Sequence, residues 1–173
     1  MAMKCFELIS KDDFGNLTYD KLVEKIYEIP TTTIRELRYS DLYQRRNSCH
    51  GIYIIKSPEN KYYFGKAIGR CMADRIGGHF DSRTGSFLNS LLGKLACDNT
   101  DDSLHNAYIQ ILDWEFSALF VEGEENEELK KLIGFAEQML IYHFNKDNKC
   151  FNGCNRKRPY DNLEQSLSKL IEL

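Results

Sequence analysis

The strongest constraint on this chain is a pair of short apolar runs, Gly51-Ile-Tyr-Ile-Ile and Tyr62-Tyr-Phe-Gly, on either side of the turn-forming stretch Ser57-Pro-Glu-Asn. β-Branched and aromatic residues suit a pleated surface and Pro and Asn suit a reversal, so the segment reads as a β-hairpin. Side chains alternate faces along a strand, so register decides whether Tyr53 and Tyr63 share one. A three-residue connection, Ser57-Pro58-Glu59, sets Tyr53 opposite Tyr63; a four-residue connection opposes Tyr53 to Phe64. We expect the first, with Asn60 in the left-handed position. Taken alone, two tyrosines so placed ordinarily do no more than pack across the strands.

Outside the hairpin the periodicity is mostly helical. Tyr19, Leu22, Val23, Ile26 and Tyr27 recur at helical spacing and Pro30 ends the run. Residues 33–46 form an Arg-rich segment of helical or irregular character. Helices are expected over 70–80 and 86–96, the latter with the stripe Phe87, Leu88, Leu91, Leu92 and Leu95. Residues 104–113 fit either helix or strand. Glu115 to Val121 reads as a third strand, 126–144 as the longest helix, and 162–172 as a short closing helix. The expected fold class is α/β (α+β): a small, three-stranded, mainly antiparallel sheet flanked by helices, with a helical N-terminal extension. The divisions are 1–48 for that extension, 49–154 for the central domain, and 155–173 for a basic turn and short helix.

A length of 173 residues with 42% apolar content suits one domain with a real core. No stretch approaches the roughly 18 consecutive apolar residues of a membrane span. The N-terminal MAMKCFELISKDDF is too acidic for a secretory signal. The six cysteines form no C-x-x-C, and we read them as reduced thiols of a cytoplasmic protein. Net charge is −3, yet residues 35–83 carry ten Lys/Arg against five acids, whereas the stretch between Lys94 and Lys130 holds ten acids and no Lys or Arg. A basic centre beside an acidic flank points to a polyanion docking on one face, although a solvated surface produces the same pattern. Phosphate-loop and dinucleotide motifs are missing, so no nucleotide cofactor is expected. His143, Cys150 and Cys154 lack a fourth ligand for a closed zinc site. Cys49 and His50 are adjacent, so on a strand they point to opposite faces.

Three positions carry chemistry. Arg75 and His79 lie one turn apart on one helix face. Gly77 and Gly78 between them cost about 1 kcal/mol each relative to Ala inside a helix, so something needs close approach there or the helix end frays. Glu137 is the sole formally charged residue from Leu132 to Phe144 (LIGFAEQMLIYHF). A carboxylate beside an apolar stripe needs an arginine, a metal ion, an aqueous cleft or a structural ion pair.

In this order, Gly51-Ile52-Tyr53, Tyr63-Phe64-Gly65, Arg75, His79, Glu137 and Asn152 resemble the GIY-YIG nuclease superfamily over residues 49–154. Phe64 stands where the family usually has Ile. Arg70 is a second candidate for the arginine, and Asn148 and Asn155 are further candidates for the asparagine. The resemblance implies hydrolysis of nucleic-acid phosphodiesters with one divalent ion, Mg²⁺ or Mn²⁺, per site. It implies Glu137 as the metal carboxylate, Arg75 as stabiliser of charge on the phosphate, and Tyr53 or His79 as the base. It also implies Tyr63 as an orienting donor, Lys66 and Arg70 as phosphate contacts, and Asn152 at the edge of the site or on the substrate backbone. A hard cation with one carboxylate, waters and phosphate is sound Mg²⁺ chemistry. A free tyrosine titrates near 10, so a base role for Tyr53 requires that value to be lowered.

The expected function is therefore a metal-dependent DNA endonuclease, similar to small type II restriction enzymes of that superfamily. DNA is the partner, with Arg35, Arg38, Arg45 and Arg46 adding contacts. A palindromic site asks for a homodimer. The alternatives are a structure-specific repair or recombination nuclease, and a non-catalytic DNA-binding module on the nuclease fold.

Overall fold

The computed structural model describes residues 4–37, 40, 50–69, 72–79, 109–152 and 163–173, with the side chains of residues 73, 78 and 79 excepted. The expected helix over 86–96 lies outside the described residues, as do Arg38, Arg45, Arg46 and Arg70. Strand β1 (Phe6–Ser10) leads into a short helix α1 (Lys11–Gly15) and then α2 (Tyr19–Glu28). Strands β2 (Thr32–Thr33), β3 (His50–Lys56) and β4 (Tyr62–Ala67) follow, then α3 (Met72–His79), β5 (Glu115–Glu122), α4 (Glu127–Asn145) and α5 (Leu167–Leu170).

Local chemistry explains the helix bounds. Thr18 accepts from the Lys21 N–H at the start of α2, and Ile29 is extended because Pro30 follows it. Asn126 accepts from the Leu129 N–H (2.8 Å) to open α4. Ser10 plays the same part for α1 through Asp13.

The α+β class holds, but among the described residues the sheet has five strands rather than three and is mixed. Its order is β1-β5-β3-β4, with β2 beside β1 along the same flank of β5. β3 pairs antiparallel with both β4 and β5, while β1 runs parallel to β5. So the N-terminal segment is not only helical: Phe6–Ser10 belongs to the sheet. Its partner lies more than 100 residues away, and no local periodicity encodes such a pairing.

Both faces of the sheet are covered. Ile52, Ile54, Phe64, Leu119 and Val121 pack against α1, α2, α4 and α5. Tyr53, Ile55, Tyr63, Phe116, Ala118 and Phe120 face Ile34, Leu37, Met72, Ile76, Ile111 and Trp114. This double burial explains why β3 reads as a continuous apolar run rather than an alternation.

The hairpin register differs from expectation by two residues. Ser57 N–H donates to the Lys61 carbonyl (2.8 Å), and Ser57 Oγ accepts from the Lys61 N–H, so Ser57 is the last ladder residue. The three-residue connection is Pro58-Glu59-Asn60, with Asn60 at φ 60° as expected. It contains Asn60 because the left-handed residue belongs to the loop. Tyr53 therefore faces Gly65, and Tyr63 faces Ile55. A shift of two preserves the face, so the tyrosines still share one, diagonally, with ring centroids 6.3 Å apart.

Candidate active site around the β4 edge

The two glycines of the hairpin motifs are set by close approach. A Cβ on Gly51 would run into the Leu119 carbonyl of β5. A Cβ on Gly65 would fall within the ring of Tyr53, which lies across that position. Phe116 stacks against the same tyrosine at 6.4 Å. The Tyr53 ring is thus fixed between β4 and β5, almost wholly buried.

Among the described residues β4 is the last strand of the sheet, and its outward backbone groups are taken up one after another. Tyr62 N–H donates to Lys149 O, and Phe151 N–H donates to Tyr62 O. The Asn152 amide then accepts from Phe64 N–H and donates to Phe64 O, both at 2.8 Å. Arg75 Nε, from α3, donates to Lys66 O at 3.2 Å. Asn152 therefore serves as a clip on the edge strand, since both polar ends of its amide are held by one backbone unit. An exposed strand edge left unpaired would invite another strand.

Glu137 sits on α4 beside its buried stripe of Ile133, Ala136 and Leu140, with its side chain 17% exposed. Its Oε2 lies 3.5 Å from Lys66 Nζ, whose side chain is 40% exposed. Of the partners open in the sequence, a lysine ion pair is present. The resemblance implies Lys66 as a phosphate contact; in the structure it is also an ion-pair partner of Glu137. The only sequence signal for the pairing is that a lone carboxylate on an apolar helix needs a cation.

Arg75 and Glu137 act on both phenols. The Tyr53 hydroxyl is pushed well above the usual tyrosine value, first by burial and then by Tyr63. Arg75 pulls it down while Glu137 raises it further. Tyr63 is pushed up to about 12, again chiefly by burial, with Glu137 adding and Arg75 opposing. The lowering that a base role for Tyr53 requires is reversed: desolvation of the phenolate outweighs the guanidinium. In this state both phenols are neutral hydrogen-bonding groups.

Tyr53, Tyr63 and Arg75 on the α3 face of the sheet, and Lys66 and Glu137 on its α4 face, approach one another around the β4 edge, near enough for Arg75 and Glu137 to act on both phenols. The backbone of His79 ends α3; its side chain, like Arg70, lies outside what is described. A Cβ on Gly77 would meet no described atom within 4 Å, so no close approach within the described protein demands that glycine. His50 is buried, and its Nδ1 accepts from Gly69 N–H. His143 is engaged with Tyr19, and Cys150 is buried and reduced, while Cys154 is outside the described residues.

No family model, curated protein or solved structure matches this chain. Among the described residues no helix is long and apolar enough to cross a membrane, and no group of three or more His, Cys, Asp or Glu side chains gathers. The donor set suits a hard divalent ion held by one carboxylate and completed by water and phosphate, and it does not suit a closed site for a soft metal.

Proposed function

We propose that this chain is a metal-dependent endodeoxyribonuclease of the GIY-YIG type. The observation that carries the reading is the meeting of Tyr53, Tyr63, Lys66, Arg75 and Glu137, spread over 85 positions of sequence, in one electrostatically connected group. Core packing gives no reason for an arginine, a lysine and a glutamate to converge beside two buried phenols. A phosphodiester and its counter-ion do.

In this reading Glu137 holds the divalent ion, Mg²⁺ or Mn²⁺. When bound there, the ion would supply positive charge for a substrate phosphate and favour ionisation of nearby water. Arg75 stabilises the charge that builds on the non-bridging oxygens during in-line attack. Its Nε is committed to Lys66 O, so its terminal nitrogens make that contact. Tyr53, protonated, donates to the Tyr63 hydroxyl, and Tyr63 in turn orients the phosphate or the attacking water by donating a hydrogen bond. The proton of that water passes to His79, one turn beyond Arg75 on α3. Asn152 acts on the site by holding β4 rather than by touching DNA.

We assign the substrate as duplex DNA cut at a specific sequence by a homodimer, in the manner of small restriction enzymes. The alternative, a structure-specific nuclease, shares every step. The test is incubation of the purified chain with phage DNA in Mg²⁺ or chelator, beside Glu137→Ala. Discrete Mg²⁺-dependent bands, absent for the variant, are expected. Branched DNA cut faster than any linear duplex would move the assignment to the alternative. Equal cutting by Glu137→Ala would overturn the mechanism.

A further inference from the structure

We infer that Lys66 occupies the cation seat of Glu137 in the metal-free protein, so that a divalent ion binds only by displacing the lysine ammonium. This rests on the nuclease reading above. Lys66 Nζ lies 3.5 Å from Glu137 Oε2, and it also lies 3.7 Å from where a Cβ on Gly134 would stand. Gly134 and Glu137 are three apart on α4, hence on one helix face, and the ammonium covers that face.

The two partners are not equally free. The Glu137 carboxylate is mostly buried on a 19-residue helix. The Lys66 backbone is fixed by pairing with Ile52 and by the hydrogen bond from Arg75. Its side chain, partly exposed on a four-carbon stem, is the movable member. A dication on Glu137 and an ammonium within 4 Å of the same carboxylate repel one another in this partly buried site. The lysine must therefore leave when the ion enters, and a DNA phosphate is the anion that would receive it. Metal and DNA then assist one another, because each removes a cost that the other would otherwise bear. The device keeps the free protein poorly loaded with metal and couples loading to the presence of substrate.

The test is calorimetric titration of Mn²⁺, without DNA, into the wild-type chain, Lys66→Met and Glu137→Gln, each checked by thermal unfolding. Lys66→Met is expected to bind Mn²⁺ about tenfold tighter, the order expected for removing one charge beside a partly buried carboxylate. Lys66→Gln, which keeps a polar head, is expected to do the same and substitutes if the Met variant unfolds. Equal or weaker Mn²⁺ binding in a folded Lys66 variant overturns the inference and leaves the nuclease reading intact. Unchanged Mn²⁺ binding in Glu137→Gln overturns the metal role of Glu137 itself, and with it the reading on which the inference rests.

Discussion

The ring of Tyr53 lies over the Cα of Gly65, its register partner on β4, so closely that no side chain fits between them. The two hairpin motifs are thus one physical unit: the tyrosine of the first needs the glycine of the second. Gly65→Ala must expel the ring or part the strands. We expect a destabilisation of about 1–3 kcal/mol and a loss of cleavage by about 100-fold or more. Adding Tyr53→Ala to Gly65→Ala removes the clash, so chemical denaturation of the double variant should show less than the sum of the two single losses, while cleavage stays low.

Asn152 offers a sharper contrast. Its amide both accepts from and donates to Phe64. Asp in its place keeps the acceptor but sets a carboxylate against the Phe64 carbonyl. Asn152→Asp should therefore cost at least as much as Asn152→Ala at neutral pH, about 1–3 kcal/mol by denaturant titration. Hydrogen exchange at the Phe64 amide should quicken most in the Ala variant, which leaves that N–H without its acceptor.

Arg75 tests geometry against charge. With Nε bonded to Lys66 O, the guanidinium can still present two terminal nitrogens to a phosphate. Lysine has a single head and cannot do both. Arg75→Lys should lower kcat by about 100-fold with a smaller change in KM, as measured by steady-state cleavage. Recovery of full activity by lysine would show that charge alone suffices.

The buried phenols predict an alkaline limit to stability. An unfolded tyrosine loses its proton near 10, whereas Tyr63 in the native protein holds it to about 12 and Tyr53 holds it beyond the usual range. Between these values the native state binds more protons than the unfolded state, so unfolding free energy falls as pH rises above 10. Tyr63→Phe removes one such group and should flatten the fall, as read from denaturation midpoints at pH 9 to 12. An unchanged slope would mean that the Tyr63 phenol is not shielded from water.

How far the sequence alone reaches depends on how local the physics is. The hairpin, α2, β5 and α4 were legible because side-chain period, an Asn at the loop and a Pro after a helix act within a few residues. The anomaly of Glu137 was legible for a related reason: a lone carboxylate in LIGFAEQMLIYHF needs a partner wherever the helix lies. The face shared by Tyr53 and Tyr63 was legible as well, although the two are not directly opposed, since the ladder closes at Ser57 and Lys61 rather than at Lys56 and Asn60.

Tertiary structure decided what depends on distant partners. Only pairing with β5 makes Phe6–Ser10 a strand, and only the sheet order makes β4 an edge for Asn152 and Arg75 to close. Lys66 meets Glu137 because α4 packs over β4. The protonation of the two tyrosines follows from burial, which no spacing of residues encodes. Residue identity determined which chemistry was available to this protein. The packing of the sheet determined which groups meet and in what charge state, because desolvation and ion pairing are properties of the assembled neighbourhood and not of the chain.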